Sequence, residues 1–175
     1  MIHTLRILYA RSPMFDKEEL LDVLKARVAS DLVDLERRQR DAQHAATHEE
    51  SRAEHAKDTR ATEQGYLARG LAERVSELRR TLAALAVLPV RNFDSDEAIA
   101  AGAIVSVSDD VEAEQQHWWI VPGAGGIELE QSGQIVRTIT PVSPLAQSLL
   151  GLQVEDEGTC RSGARERRLQ IHAVT

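Results

Sequence analysis

Two apolar stripes at helical spacing dominate the first half of the chain. Leu21, Leu24, Val28, Leu32 and Leu35 step by threes and fours, and Leu67, Leu71, Val75, Leu78, Leu82 and Leu85 do the same. Such spacing lays one apolar face along an α-helix. The stripes also match as mirror images: Leu35 with Gln64, Leu32 with Leu67, Val28 with Leu71, Leu24 with Val75 and Leu21 with Leu78. The pattern predicts an antiparallel helical hairpin, a coiled coil over 14–88, that turns between Glu49 and Glu50. Each arm would be roughly 45 Å long. Carboxylates and histidines crowd the expected far end of this rod.

Local signals frame the two helices. Ser12 or Asp16 can cap the first, and Glu18 and Glu19 in its first turn suit the helix dipole. Past Leu35 the seam weakens to Ala42, Ala45 and Ala46, small residues that let helices approach closely. The second helix is expected to resume between Thr47 and Ser51 and to end near Leu88, because Pro89 disfavours helical geometry in the residue before it.

Beyond a linker over 89–96 the pattern changes. Ala103–Val107, Trp118–Val121, Ile127–Leu129 and Ile135–Ile139 are short β-rich runs between Gly, Asp and Pro clusters,. Leu169, Ile171 and Ala173 alternate with polar neighbours, as a strand with one solvated face does,. Ser143 as N-cap, Pro144 at the first helical position and Gly151 past the end mark a short helix. Adjacent Trp118 and Trp119 must point to opposite faces of their strand, so one of them should fill the core. The fold class expected is α+β: a helical hairpin followed by an antiparallel sheet domain over 97–175 with one short helix.

Composition narrows the function classes. The formal net charge is −7, a poor balance for coating nucleic acid through its phosphates. Trp, Tyr and Phe number two each, which suits an Ala/Leu seam better than one large core. Cys160 is the single cysteine, so no intramolecular disulfide forms, as suits a reducing compartment. No apolar run approaches the roughly 20 residues of a membrane span, and no signal peptide is legible. The expectation is a cytoplasmic monomer without a membrane partner. Residues 1–13 read as an extension, with Met14 as an alternative start.

The expected tip has two readings. Thr47-x-x-Glu50 and Ser51-x-x-Glu54 are both capping boxes, in which the glutamate bonds back to the cap residue's amide. At most one of them caps the second helix, which leaves one glutamate free. Glu49 is expected to face solvent or a partner. His44 and His48 have the spacing of a shared metal on one helical face, and His55 follows. Because the second His of the zinc-protease motif is absent after His48-Glu49-Glu50, exposed polar residues are the simpler reading, with no metal site of the chain's own.

Ser143-Pro144-Leu145-Ala146-Gln147-Ser148-Leu149-Leu150-Gly151, followed by Glu155-Asp156-Glu157, resembles a signature of the GreA/GreB transcript cleavage factors. Trp119-Ile120-Val121-Pro122-Gly123 is similar to that family's central strand end, and Gln64-Gly65-Tyr66-Leu67 to a segment of its second coiled-coil helix. The resemblance covers the chain from Met14 onward. It implies an FKBP-like C-terminal domain that docks on bacterial RNA polymerase at the secondary channel. Ser143, Pro144, Leu145 and Ala146 would contribute to that dock. It also implies a coiled coil that enters the channel, so that Glu49, Glu50 and Glu54 assist magnesium shared with the polymerase active site. Arg52, Lys57 and Arg60 would then lie near the nascent RNA 3′ end. The polymerase does the hydrolysis, so the chain itself is expected not to be an enzyme.

The family's tip reads Asp-x-x-Glu-Asn, whereas Glu50 and Glu54 stand four apart here and His55 replaces the Asn. That departure keeps a second reading open, a Gre-like regulator or inhibitor that occupies the channel without stimulating cleavage. A third, from another class, makes the FKBP-like domain a prolyl isomerase or a peptide-binding module. The scarcity of aromatics weighs against an isomerase pocket.

Overall fold

The computed structural model describes residues 15–52, 59–110, 114–162 and 165–175. Two long helices come first, α1 (Lys17–Arg52) and α2 (Thr59–Ala86). Asp16 caps α1: its Oδ1 accepts from the backbone N–H groups of Glu18 and Glu19, each at 3.1 Å. At the other end α2 stops before Pro89, and Leu88 N–H closes onto Leu85 C=O at 3.4 Å. By helical rise α1 spans about 54 Å and α2 about 42 Å.

Glu36 on α1 and Arg79 on α2 form an ion pair at 2.6 Å. Both lie far from the connection between the helices, so the helices run antiparallel. The pair corrects the expected register, which set Glu36 opposite Glu63. The contact is displaced along α2 by about four turns. The turn therefore does not fall between Glu49 and Glu50, because α1 continues through both to Arg52.

Thr47 is accordingly an interior residue of α1. It does not cap the second helix; its hydroxyl donates to the carbonyl of Gln43, four residues back, at 3.0 Å inside α1. Threonine within a helix uses its hydroxyl in this way. Ser51 also lies within α1, so neither expected capping box starts α2. The seam itself is real. Leu21, Leu24, Val28, Val75 and Leu85 are buried. Leu67 is 52% exposed, so the stripe does not stay covered along the whole of α2.

The remaining elements are β1 (Ile104–Asp109), β2 (Gln116–Ile120), β3 (Glu128–Gln131), β4 (Gln134–Ile139), α3 (Pro144–Leu149), β5 (Glu157–Ser162) and β6 (Arg165–Val174). The strands form one sheet in the order β3-β4-β2-β1-β6-β5. It is mixed rather than wholly antiparallel, since β2 and β4 pair in parallel, Trp119 opposite Thr138. Strand β5 is absent from the sequence expectation. Its run Glu157-Gly158-Thr159-Cys160-Arg161-Ser162 has little apolar alternation, and it sits at the sheet edge. A Cβ at Gly158 would lie 2.6 Å from the backbone oxygen of Ser148. Glycine at that position lets β5 pass under α3.

One face of the sheet carries Val105, Val107, Ile120, Leu169 and Ile171, packed with Ala146 and Leu149 of α3. Trp118 lies partly buried against this cluster. Trp119, on the opposite face, is 1% exposed and donates its Nε1–H to Gly102 C=O at 3.2 Å. The start of α1 covers this second face. Phe15 meets His117 edge to face with ring centroids 4.9 Å apart. Lys17 donates to the carbonyls of Arg91 at 2.7 Å and Gly102 at 2.9 Å.

The chain divides into two units. One holds the described residues up to Leu20 with Pro89–Val121 and Gly125–Thr175, and the other Leu21–Leu88 with Pro122–Ala124. No described helix is long and apolar enough to cross a membrane.

Candidate functional site

The short helix α3 is built as its sequence demands. Ser143 Oγ accepts from Ala146 N–H at 3.2 Å, and Pro144 occupies the first turn, where no N–H is needed,. Ala146 and Leu149 turn inward and are fully buried. Ala146, named with Ser143, Pro144 and Leu145 as a docking residue, keeps its side chain in the core. Pro144 is exposed and Leu145 half-buried. Val142 is 81% exposed immediately before the cap. Sequence reasoning gave Val142 no role of its own, although the position it would pack against in the first turn is the polar Gln147, which leaves it no apolar partner on the helix,.

A cavity of about 450 Å³ opens between α3 and strands β1, β2, β5 and β6. Trp118, Ile139, Pro144, Leu145 and Leu169 give it apolar walls. Asp109, Arg161 and Arg167 supply charge. Arg167 pairs with Asp109 at 3.2 Å, and Arg161 with Glu166 at 3.0 Å. Arg137 stands over the Trp118 ring, 5.7 Å from its centroid. Trp118 Nε1 is buried without a hydrogen-bond partner among the described residues. Cys160 is also buried at this wall.

Two buried bases lie on the other face of the sheet. Burial first, and then the nearby Arg91 charge, push the Lys17 ammonium down to about 8. Burial also lowers His117, partly offset by its hydrogen bond to Gln134. His117 Nδ1 lies 2.8 Å from Ser106 Oγ and its Nε2 3.3 Å from Gln134 Oε1. A neutral ring with hydrogen on Nε2 satisfies both, accepting from Ser106 and donating to Gln134.

Several solved structures are similar to this chain. The transcription factor Gfh1 is 19% identical, over 86% of this chain and 92% of that one, with a TM-score of 0.38. GreA factor homolog 1 of Thermus thermophilus is 18% identical over 86% and 94%, with a TM-score of 0.36. The elongation factor GreA/GreB of Nitrosomonas europaea is 21% identical over 65% and 92%, with a TM-score of 0.35. No family model and no curated protein matches the chain. The helical hairpin is followed by a six-stranded mixed sheet, and a Ser-capped short helix lies on that sheet. The fold is α+β, a helical hairpin joined to a mixed-sheet domain.

In this chain the expected tip residues divide into two groups. Glu49, Glu50 and Arg52 belong to the end of α1, and Arg60 to the first turn of α2; their side chains lie outside the described ones. Glu54, Lys57 and His55 lie outside the described residues. His44 is exposed on α1. Among the described residues no group of three or more His, Cys, Asp or Glu side chains could hold a metal ion.

Proposed function

We propose that this protein binds bacterial RNA polymerase at the secondary channel and stimulates cleavage of backtracked RNA. The observation that carries the reading is the pairing of Glu36 with Arg79 at 2.6 Å. It makes α1 and α2 an antiparallel rod whose connection lies beyond Arg52, and it puts Glu49 and Glu50 close to that end. The Ser143-capped helix supplies the docking element. The names of the similar structures, a transcription factor and a transcription elongation factor, suit a role in transcription.

The chemistry asks little of the chain beyond placement. Magnesium prefers hard oxygen ligands and keeps several waters, so one or two carboxylates delivered to a metal held by the polymerase complete a site for hydrolysis. The RNA 3′ end is the substrate, and the polymerase remains the enzyme. Incubating a stalled, backtracked elongation complex with the protein and magnesium should release a 3′ fragment. Glu50→Ala with Glu54→Ala should abolish that release while leaving polymerase binding in a pull-down intact.

A second reading is a channel-binding regulator without cleavage. The helical placement of Glu49 and Glu50, within α1 rather than in the turn, favours it. Slowed elongation with no 3′ fragment would select this reading over the first.

A further inference from the structure

Strand β5 ends the sheet on one side and β3 on the other. An edge strand keeps outward N–H and C=O groups that another strand can use. On β5 the neighbouring strand shows which residues carry them. Ile171 of β6 donates its N–H to Asp156 C=O at 3.1 Å, and its C=O accepts from Glu155 N–H at 3.0 Å. Its main chain therefore points to the β5 side. Hydrogen-bonded pairs alternate along an antiparallel ladder, so Leu169, Arg167 and Arg165 point the same way, at Gly158, Cys160 and Ser162. Glu157, Thr159 and Arg161 are left with their main-chain groups turned outward. Their side chains share one face of the strand and are exposed,. Among the described residues no backbone hydrogen bond reaches that outer side.

We propose that two copies of this chain pair antiparallel through β5, around a two-fold axis at Thr159. Thr159 then meets Thr159 of the second copy, and Glu157 meets Arg161 of the second copy on either side of the axis. This register pairs all three outward residues and sets opposite charges together twice, as a self-complementary interface requires. Arg161 already pairs with Glu166 at 3.0 Å, yet its side chain is 80% exposed. Its fork of N–H donors can take a second carboxylate without releasing the first. Edge charges commonly prevent pairing, and β3 is built that way. Thr138 of β4 donates to Ile127 C=O and accepts from Gly126 N–H, so by the same alternation Glu128 and Glu130 carry the outward groups of β3. Any antiparallel self-pairing of those groups sets acid against acid. Strand β5 is the self-complementary edge. A six-residue strand buries little area, so the dimer is weak and forms at high concentration. Such a dimer goes beyond the proposed function, does not depend on it, and departs from the monomer expected from the sequence.

The test is sedimentation velocity of the full chain over a rising concentration series, in which a reversible monomer–dimer equilibrium is expected. Glu157→Arg alone, or Arg161→Glu alone, sets like charges opposite and should weaken the dimer about tenfold. The double variant carrying both changes should recover it. A mixture of the two single variants should form a heterodimer more tightly than either forms a homodimer. Thr159→Pro removes an outward N–H while sparing the ladder to β6, so it should abolish the dimer. Circular dichroism checks that each variant keeps its fold. A chain that stays monomeric to near-millimolar concentration, a dimer indifferent to these charges, or single variants that do not associate preferentially with each other would overturn the proposal.

Discussion

Glu36 and Arg79 meet at 2.6 Å across the two long helices, forty-three residues apart in the chain. Both side chains retain solvent contact, so the pair marks the register more than it stabilises it. Exposed pairs contribute roughly 0.2–1 kcal/mol.

The register is testable by cross-linking. Glu36→Cys with Arg79→Cys should link through a short bis-maleimide. Glu36→Cys with Glu63→Cys should not, because positions 63 and 79 are about 24 Å apart along α2. Peptide mapping of the linked product distinguishes the two. Linking of the second pair alone would restore the expected turn between Glu49 and Glu50.

Lys17 sets a pH dependence in the alkaline range. Its folded pKa of about 8 lies below the ordinary 10.5, so the unfolded chain binds the extra proton between those values. Stability from this group therefore rises as pH increases from about 8 to 10.5,. Urea denaturation across that window should show the rise, and Lys17→Met should flatten it. Lys17→Met also gives up two hydrogen bonds to backbone carbonyls, so its midpoint is expected to fall furthest below that of the unchanged chain at the alkaline end, where the wild-type amine is neutral,.

His117 acts at the acid end. The fold holds its pKa below 6.5, so the unfolded chain takes up the proton first as pH falls. Stability is therefore lost as pH drops below about 6.5,. His117→Gln should remove that component of the acid transition. NMR of the imidazole nitrogens should show hydrogen on Nε2 at neutral pH.

Two glycines should respond differently to alanine. A Cβ at Gly123, whose φ is +73°, would meet Thr81 Oγ1 at 2.5 Å. Gly123→Ala should destabilise by more than about 1 kcal/mol, and Thr81→Ala should relieve the clash in part while the backbone strain remains. At Gly158 the obstacle is the backbone oxygen of Ser148, at 2.6 Å. No side-chain change opposite can relieve that, so Gly158→Ala should lower the thermal midpoint without a rescuing partner.

Much of the fold was legible because its signals are local. The Ser143–Pro144 cap, the Asp16 cap and the strand runs around Trp119 and Ile139 each depend on a few neighbouring residues. Strand β5 was not legible, because Gly158 is explained by a helix ten residues earlier rather than by any alternation of its own. The cavity was equally hidden. Trp118, Arg161 and Arg167 lie on three different strands and converge only when β2, β5 and β6 share one sheet.

The amino-acid sequence alone determined that two apolar stripes make two long helices, that a Ser-Pro cap starts a short third one, and that carboxylates cluster near the end of the hairpin. Tertiary structure decided where the stripes meet. A stripe repeating every three or four residues buries much the same leucines in several registers, so periodicity cannot choose among them. The outcome shows in α1 persisting through Thr47 to Arg52 and in Glu36 meeting Arg79 across the helices. It also decided that β2 lies parallel to β4, a pairing between strands distant in sequence that no local pattern records.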